Sequence, residues 1–185
     1  MSRNANGSAP VPEGGWLDGE QQRAWLAYIR VQLRLTYEMN RQLQSDSDLS
    51  LPDYDVLTAL SVADQGLMPI TVLAAQIGWE RSRVSHHVRR MAKRDLVSCS
   101  PSENDRRVTE VRLTPHGRQV LEAAAVGHVE LVRHLFFDGL PRELEGPLSQ
   151  ALESVYANII AQGTLPPPVD WRPPKASDRR AAGSA

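Results

Sequence analysis

A mostly helical fold with one small β-hairpin is predicted for this 185-residue chain. Three observations predict it. Long stretches repeat apolar residues at three- and four-residue spacing, and one short region switches to strict alternation beside a polar tip. Aromatic residues make up 5% and apolar residues 41% of the chain, so the core must be assembled mainly from Leu, Val, Ile and Ala, which suits packed helices. The length supports one domain with a substantial core.

The elements follow in order. From Asp18 to Gln44, Trp25, Tyr28, Ile29, Leu33, Met39 and Leu43 recur at helical spacing with no internal Gly or Pro, predicting a long first helix. Ser50-Leu51-Pro52-Asp53 places a capping hydroxyl, an early proline and a carboxylate at the start of a second helix, Pro52 to about Ala63. After the break at Gly66 and Pro69, Thr71 caps a short third helix through Ile77. Gly78 ends it, and a fourth runs from about Arg81 to Arg94. Leu96 to Ser100 and the alternating run Val108 to Leu113 flank the polar tip Pro101 to Arg106 and make a hairpin. Thr114-Pro115 opens a helix through Phe136, and Pro141 starts a last one through Ile159. The order is ααααββαα. Residues 1–15 and 163–185, rich in Gly, Ser and Pro, read as disordered tails around a domain spanning 16–162.

Composition excludes more than it asserts. The formal net charge is −1 and the pI about 6.5, so a nucleic-acid partner can be argued only from where the cations lie. Cys99 is the single cysteine and cannot form an internal disulfide. No apolar run suits a signal peptide or a membrane span, so a protein of the reducing cytoplasm is expected. There is no Gly-rich phosphate loop, nucleophile elbow or metal-binding helix, and neither an enzyme nor a cofactor is expected.

The positive signal lies between Leu73 and Arg94. Ala74 is small where two helices would cross, Gly78 permits a sharp turn, and Val84 can pack back, as a bihelical DNA-reading unit requires. At about 100° per residue, Val84, Val88 and Met91 fall within about 60° of one another as an inward stripe. Ser82, His86, Arg89, Arg90 and Lys93 lie opposite, flanked by Arg83 and Ser85, with no acidic residue among them. An ordinary solvated helix mixes signs to form i,i+4 pairs. Glu80 to Arg107 holds eight basic and four acidic residues, so a near-neutral total conceals a polarised chain. Arginine can bridge O6 and N7 of guanine, whereas Lys93 and Arg94, near the helix end, suit phosphates.

Leu73-Ala74-x-x-Ile77-Gly78, Arg83-Val84-Ser85-x-x-Val88-x-x-Met91, Asp95-Leu96-Val97, Asp105-Arg106-Arg107 and Leu113-Thr114-x-x-Gly117 together resemble the MarR family of bacterial regulators. The resemblance implies a winged helix-turn-helix over about 50–114, with dimerisation helices at about 18–44 and 115–162. It implies double-stranded DNA and a second copy of the chain as partners. The hairpin becomes a wing on which Asp105 supports Arg107, Arg106 lying between them, for a minor groove whose negative potential attracts arginine. The expected DNA-binding set is Arg81, Ser82, Arg83, Ser85, His86, Arg89, Arg90, Lys93, Asp105, Arg106 and Arg107. Glu80 departs from the usual cap and stands where a carboxylate would repel phosphate.

The resemblance further implies a repressor released by a small, aromatic or phenolic ligand, and Trp25, Tyr28 and Arg30 are the candidates to meet it. Core packing is the alternative for Trp25 and Tyr28. Two other readings stay open: a winged helix used for protein association, and a redox-sensing regulator acting through Cys99. The five histidines lack zinc-ligand spacing, so no metal site is expected.

Overall fold

The computed structural model describes residues 16–169. Of the tails expected at 1–15 and 163–185, residues 1–15 and 170–185 lie outside the described residues. The chain divides into two compact units, the first ending at Tyr37 and the second beginning at Glu38. Six α-helices are described: α1 (Gly19–Ser47), α2 (Leu51–Ser61), α3 (Ile70–Ile77), α4 (Arg81–Ala92), α5 (Pro115–Val132) and α6 (Glu145–Gln162). Three strands, β1 (Leu67–Pro69), β2 (Val97–Pro101) and β3 (Thr109–Leu113), form an antiparallel sheet in the order β1-β3-β2.

The third strand is an addition to the expected hairpin. β1 is three residues long and contains proline, so it carries no alternation to read. Its place at the sheet edge tolerates the missing N–H of Pro69. Pairing of Met68 with Val111 and of Pro69 with Glu110 holds the chain extended up to Pro69. α3 therefore starts at Ile70, and Thr71 lies inside the helix rather than capping it. α4 stops at Ala92, two residues before the expected end, where Leu96 N–H donates to Met91 O at 3.1 Å and turns the chain toward β2. α5 gives way at Arg133 to a wide helical turn through Phe137.

The start of α2 is a reciprocal cap. Asp53 N–H donates to Ser50 Oγ at 3.2 Å, and Ser50 N–H donates to Asp53 Oδ2 at 2.9 Å. The second unit is built on fully buried Leu43, Leu57, Leu60, Leu73, Val84, Met91 and Val111, so α2, α3, α4 and the sheet share one core.

Thr114 Oγ1 accepts from Gly117 N–H at 2.9 Å and donates to Leu96 O at 3.1 Å, which ties the first turn of α5 to the start of β2. A Cβ on Gly117 would stand 1.9 Å from Leu96 O, a backbone atom that cannot rotate away. Gly117→Ala therefore forces α5 off the sheet. The expected cost is at least about 1–3 kcal/mol, visible as a lowered melting temperature; an unchanged melt would contradict this packing.

Candidate nucleic-acid interface

α4 presents two faces. Val84, Val88 and Met91 are all but fully buried, while Ser82, Arg83, His86, Arg89, Arg90 and Lys93 are exposed. Arg81 is also exposed, and Ser85 is half-buried with its hydroxyl donating to Arg81 O at 2.9 Å. Glu80 takes the N-cap position in extended conformation, but its side chain makes no capping bond. Among the described residues no ion pair joins it to Arg81 or Arg83. Arg83 lies instead over the indole of Trp79, its guanidinium carbon 3.8 Å from the ring centre. Trp79 also meets His87 edge-on, with centroids 5.4 Å apart. The outward face of α4 thus carries arginines, lysine, histidine and serines with no carboxylate between them.

His87 is the one polar residue of α4 that is buried. Its Nε2 stands 2.9 Å from Oδ1 of Asp53 on α2, with the carboxylate off the line of the ring N–H. Arg90 Nη2 lies 3.0 Å from His87 Nδ1. A guanidinium can only donate, so Nδ1 accepts and the ring proton resides on Nε2, toward Asp53. Arg94 completes the group: its Nη1 donates to Asp53 Oδ2 at 2.9 Å, and its Nη2 donates to the backbone carbonyl of Asp48. Burial raises the Asp53 carboxyl, but the contacts from His87, Ser50 and Arg94 outweigh it and hold the group well below the usual carboxylate range. Arg94, expected to meet phosphate, is committed to Asp53 instead, because the turn after α4 brings it beside the α2 cap.

His87 and Trp79, and the reach of the capping carboxylate Asp53 to His87 and Arg94, support the α4 face and are absent from the sequence reading. A helical wheel at about 100° per residue puts His87 about 300° from Val84, on the flank of the inward stripe. That placement was the available signal. Ser50, Pro52, Trp79, Arg83, His86 and Arg90 line a basic hollow of about 550 Å³ between the α2 cap and α4. A concave, arginine-lined surface at a helix N-terminus suits an anionic oxygen.

On the hairpin, Asp105 Oδ1 accepts from the Arg107 backbone N–H at 3.0 Å, and Arg107 Nε lies 3.4 Å from the same oxygen. The loop is closed by Val108 N–H to Asp105 O and by Ser102 N–H to Val108 O, both at 2.8 Å. Arg107 is held at its base, with its side chain 93% exposed. Arg106 is exposed beside it.

The remaining candidates lie apart from this face. Trp25, Tyr28 and Arg30 are exposed on α1, with the Trp25 and Tyr28 rings 5.6 Å apart. Cys99 is free and reaches solvent from β2. Crowding raises its thiol above the ordinary value, Arg89 opposing, which reduces the thiolate on which redox chemistry depends. Among the described residues no group of three or more His, Cys, Asp or Glu could hold a metal ion. No described helix is long and apolar enough to cross a membrane.

A second cleft, of about 970 Å³, lies among α2, α3, α5 and α6. Residues 163–169, read from sequence as the start of the tail, form no helix or strand, and all but Pro167 line this cleft. Trp25, Tyr28 and Arg30 are not among its lining residues.

A buried-stripe helix with an acid-free outer face, preceded by a tight helical turn and followed by a hairpin with an arginine on its loop, defines a winged helix-turn-helix protein. The MarR family model matches residues 49–109. The transcriptional repressor IacR of Pseudomonas putida is 35% identical over 138 residues, covering 73% of this chain and 77% of that protein. Two Streptomyces coelicolor MarR regulators share the architecture. The crystal structure of AbsC has a TM-score of 0.74 at 33% identity and covers 80% of this chain and 99% of its own. Sco3205, solved in complex with DNA, has a TM-score of 0.77 at 32% identity and covers 82% and 99%. This chain belongs to the MarR family of transcriptional regulators.

Proposed function

We propose that this chain is a sequence-specific repressor that binds duplex DNA as a homodimer and releases it when a small molecule binds. The observation that carries the reading is the outward face of α4, where Arg83, Arg89, Arg90 and Lys93 are exposed without an opposing carboxylate. Arg83, Arg89 and Arg90 meet base edges or phosphates in the major groove. Lys93 contributes sequence-independent attraction, and Arg107 enters the adjacent minor groove from the wing. Ser82, Ser85 and His86 supply short-range contacts, and Arg81 and Arg106 meet backbone phosphates. DNA in the Sco3205 complex and the repressor role of IacR support this assignment.

Homodimer formation is supported by apolar residues that the single chain leaves in water. Leu135, Leu152, Val155 and Ile159 are each about half exposed in the second unit, as are Trp25, Tyr28 and Leu33 in the first. Faces of this kind mark association surfaces. Release by a small molecule is supported by the 970 Å³ cleft, which is of ligand-binding size.

The test is a salt titration of DNA binding by fluorescence anisotropy, with stoichiometry from sedimentation. Two chains per duplex are expected. Arg107→Ala should weaken binding and lower the slope of log K against log salt by up to about 0.9. Unchanged binding by Arg83→Ala, Arg89→Ala and Arg107→Ala alike would overturn the interface.

A further inference from the structure

The 970 Å³ cleft has an unusual polar inventory. Its wall is largely apolar, with Met39, Ile77, Tyr156, Ile160, Leu165 and Val169 among its members. The polar side chains are Asp55, Thr58, Gln76, His128 and Thr164, with the phenols of Tyr54 and Tyr156; among the described residues neither lysine nor arginine lines it. Three of these polar groups hold buried atoms with no hydrogen-bond partner: Thr58 Oγ1, Gln76 Oε1 and His128 Nδ1. Buried polar atoms are nearly always paired, so three orphans around one cavity point to a ligand that supplies the partners.

The charges decide which ligand. His128 is stacked on Tyr54 with centroids 4.4 Å apart, and burial lowers its affinity for a proton, so it faces the cleft as a neutral ring. Asp55 shares the cleft-facing side of α2 with Thr58 and Ala59, at helical spacing. Asp55 reaches solvent at the cleft, and among the described residues no ion pair meets it; desolvation raises its carboxyl to about 6, His87 opposing, so the group is ionised at pH 7.5. A carboxylate or phenolate ligand would meet Asp55 with no positive charge among the described lining residues to hold it. An ammonium brings one positive charge and three N–H donors, matching one anion and a set of acceptors.

We propose that this cleft binds a small primary amine with an apolar ring or chain, its ammonium against Asp55 and donating to Gln76 and Thr58, its hydrocarbon against the apolar wall. The proposal rests on the ligand-responsive reading above and departs from the phenolic anion that the family resemblance implies.

The experiment is isothermal calorimetry on the full chain at pH 7.5 with three probes that share one ring and differ in the head group: 2-phenylethylamine, 2-phenylethanol and phenylacetate. The amine should bind at least tenfold more tightly than the alcohol, with the acetate weakest. Asp55→Asn should abolish the amine's advantage while leaving the alcohol within about threefold, and its melting temperature should not fall, since an unpaired carboxylate is removed. Phenylacetate binding as tightly as the amine, no amine binding at millimolar concentration, or an undiminished amine preference in Asp55→Asn would overturn the proposal. DNA binding is measured on the same preparation without probe and again with the amine present. Intact DNA binding with failed amine binding overturns this inference alone, whereas amine binding that leaves DNA affinity unchanged supports the site and overturns ligand release.

Discussion

Asp53→Ala should lower folding stability by about 3 kcal/mol, the largest loss expected from one side chain outside the apolar core. Loss of a helix cap alone costs about 1 kcal/mol. Removing one partner of a buried charged pair costs about 3–5 kcal/mol, because the other charge is left uncompensated. The lower end applies, since Arg94 is 38% exposed and regains water, whereas His87 is enclosed and does not. At about 2–4 °C per kcal/mol for a domain of this size, the melting temperature should fall by about 6–12 °C at fixed protein concentration. A fall under 2 °C would contradict the role assigned to Asp53.

The same residue sets an acid limit. Its carboxyl is held below the value of 3.8 that an unfolded chain would show. The stabilisation is therefore complete above about pH 4 and is lost as pH falls from there toward the folded-state value. Asp53→Asn, which does not titrate, should show a flatter dependence of melting temperature on pH below 4 than the native chain. Because Asp53 anchors His87 and Arg94 to α2, its loss should also loosen α4 and weaken DNA binding without touching a DNA-facing side chain.

Arg83→Ala and Arg89→Ala should each reduce discrimination between preferred and mismatched duplexes by about 1–3 kcal/mol, the worth of a bidentate guanine contact. That is about a 5- to 150-fold loss of preference, read from competition binding with single base-pair changes. Arg83 should not be rescued by lysine, since its planar group stacks on Trp79 at 3.8 Å and a point ammonium cannot reproduce both stack and fork. Trp79→Ala should give a smaller loss in the same direction. A uniform loss on all sequences would make Arg83 and Arg89 phosphate contacts instead.

The parts of the fold legible in the sequence were those governed by local rules. Val84, Val88 and Met91 stood out because helical periodicity sorts inward from outward, and Gly78 and Ser50 because a left-handed turn and a cap each demand particular chemistry. β1 escaped because three residues carry no period, and its existence depends on pairing with β3 more than forty residues later. The partner of Arg94 is not legible because a cation near a helix end looks the same in sequence whether it faces phosphate or a buried carboxylate. The carboxylate in question, Asp53, lies 41 positions away. The cleft was invisible for the same reason: Asp55, Gln76, His128 and Leu165 become neighbours only through tertiary packing. A proline-rich stretch such as 165–168 announces only that it is neither helix nor strand.

The most direct test of the account is selection from a random duplex library by the full chain, followed by footprinting of the enriched sequence. Two recognition helices related by a two-fold axis should select a pseudo-palindrome with half-site centres about 10 bp apart and protect both halves symmetrically. No enrichment, or one asymmetric site protected by a single chain, would contradict it.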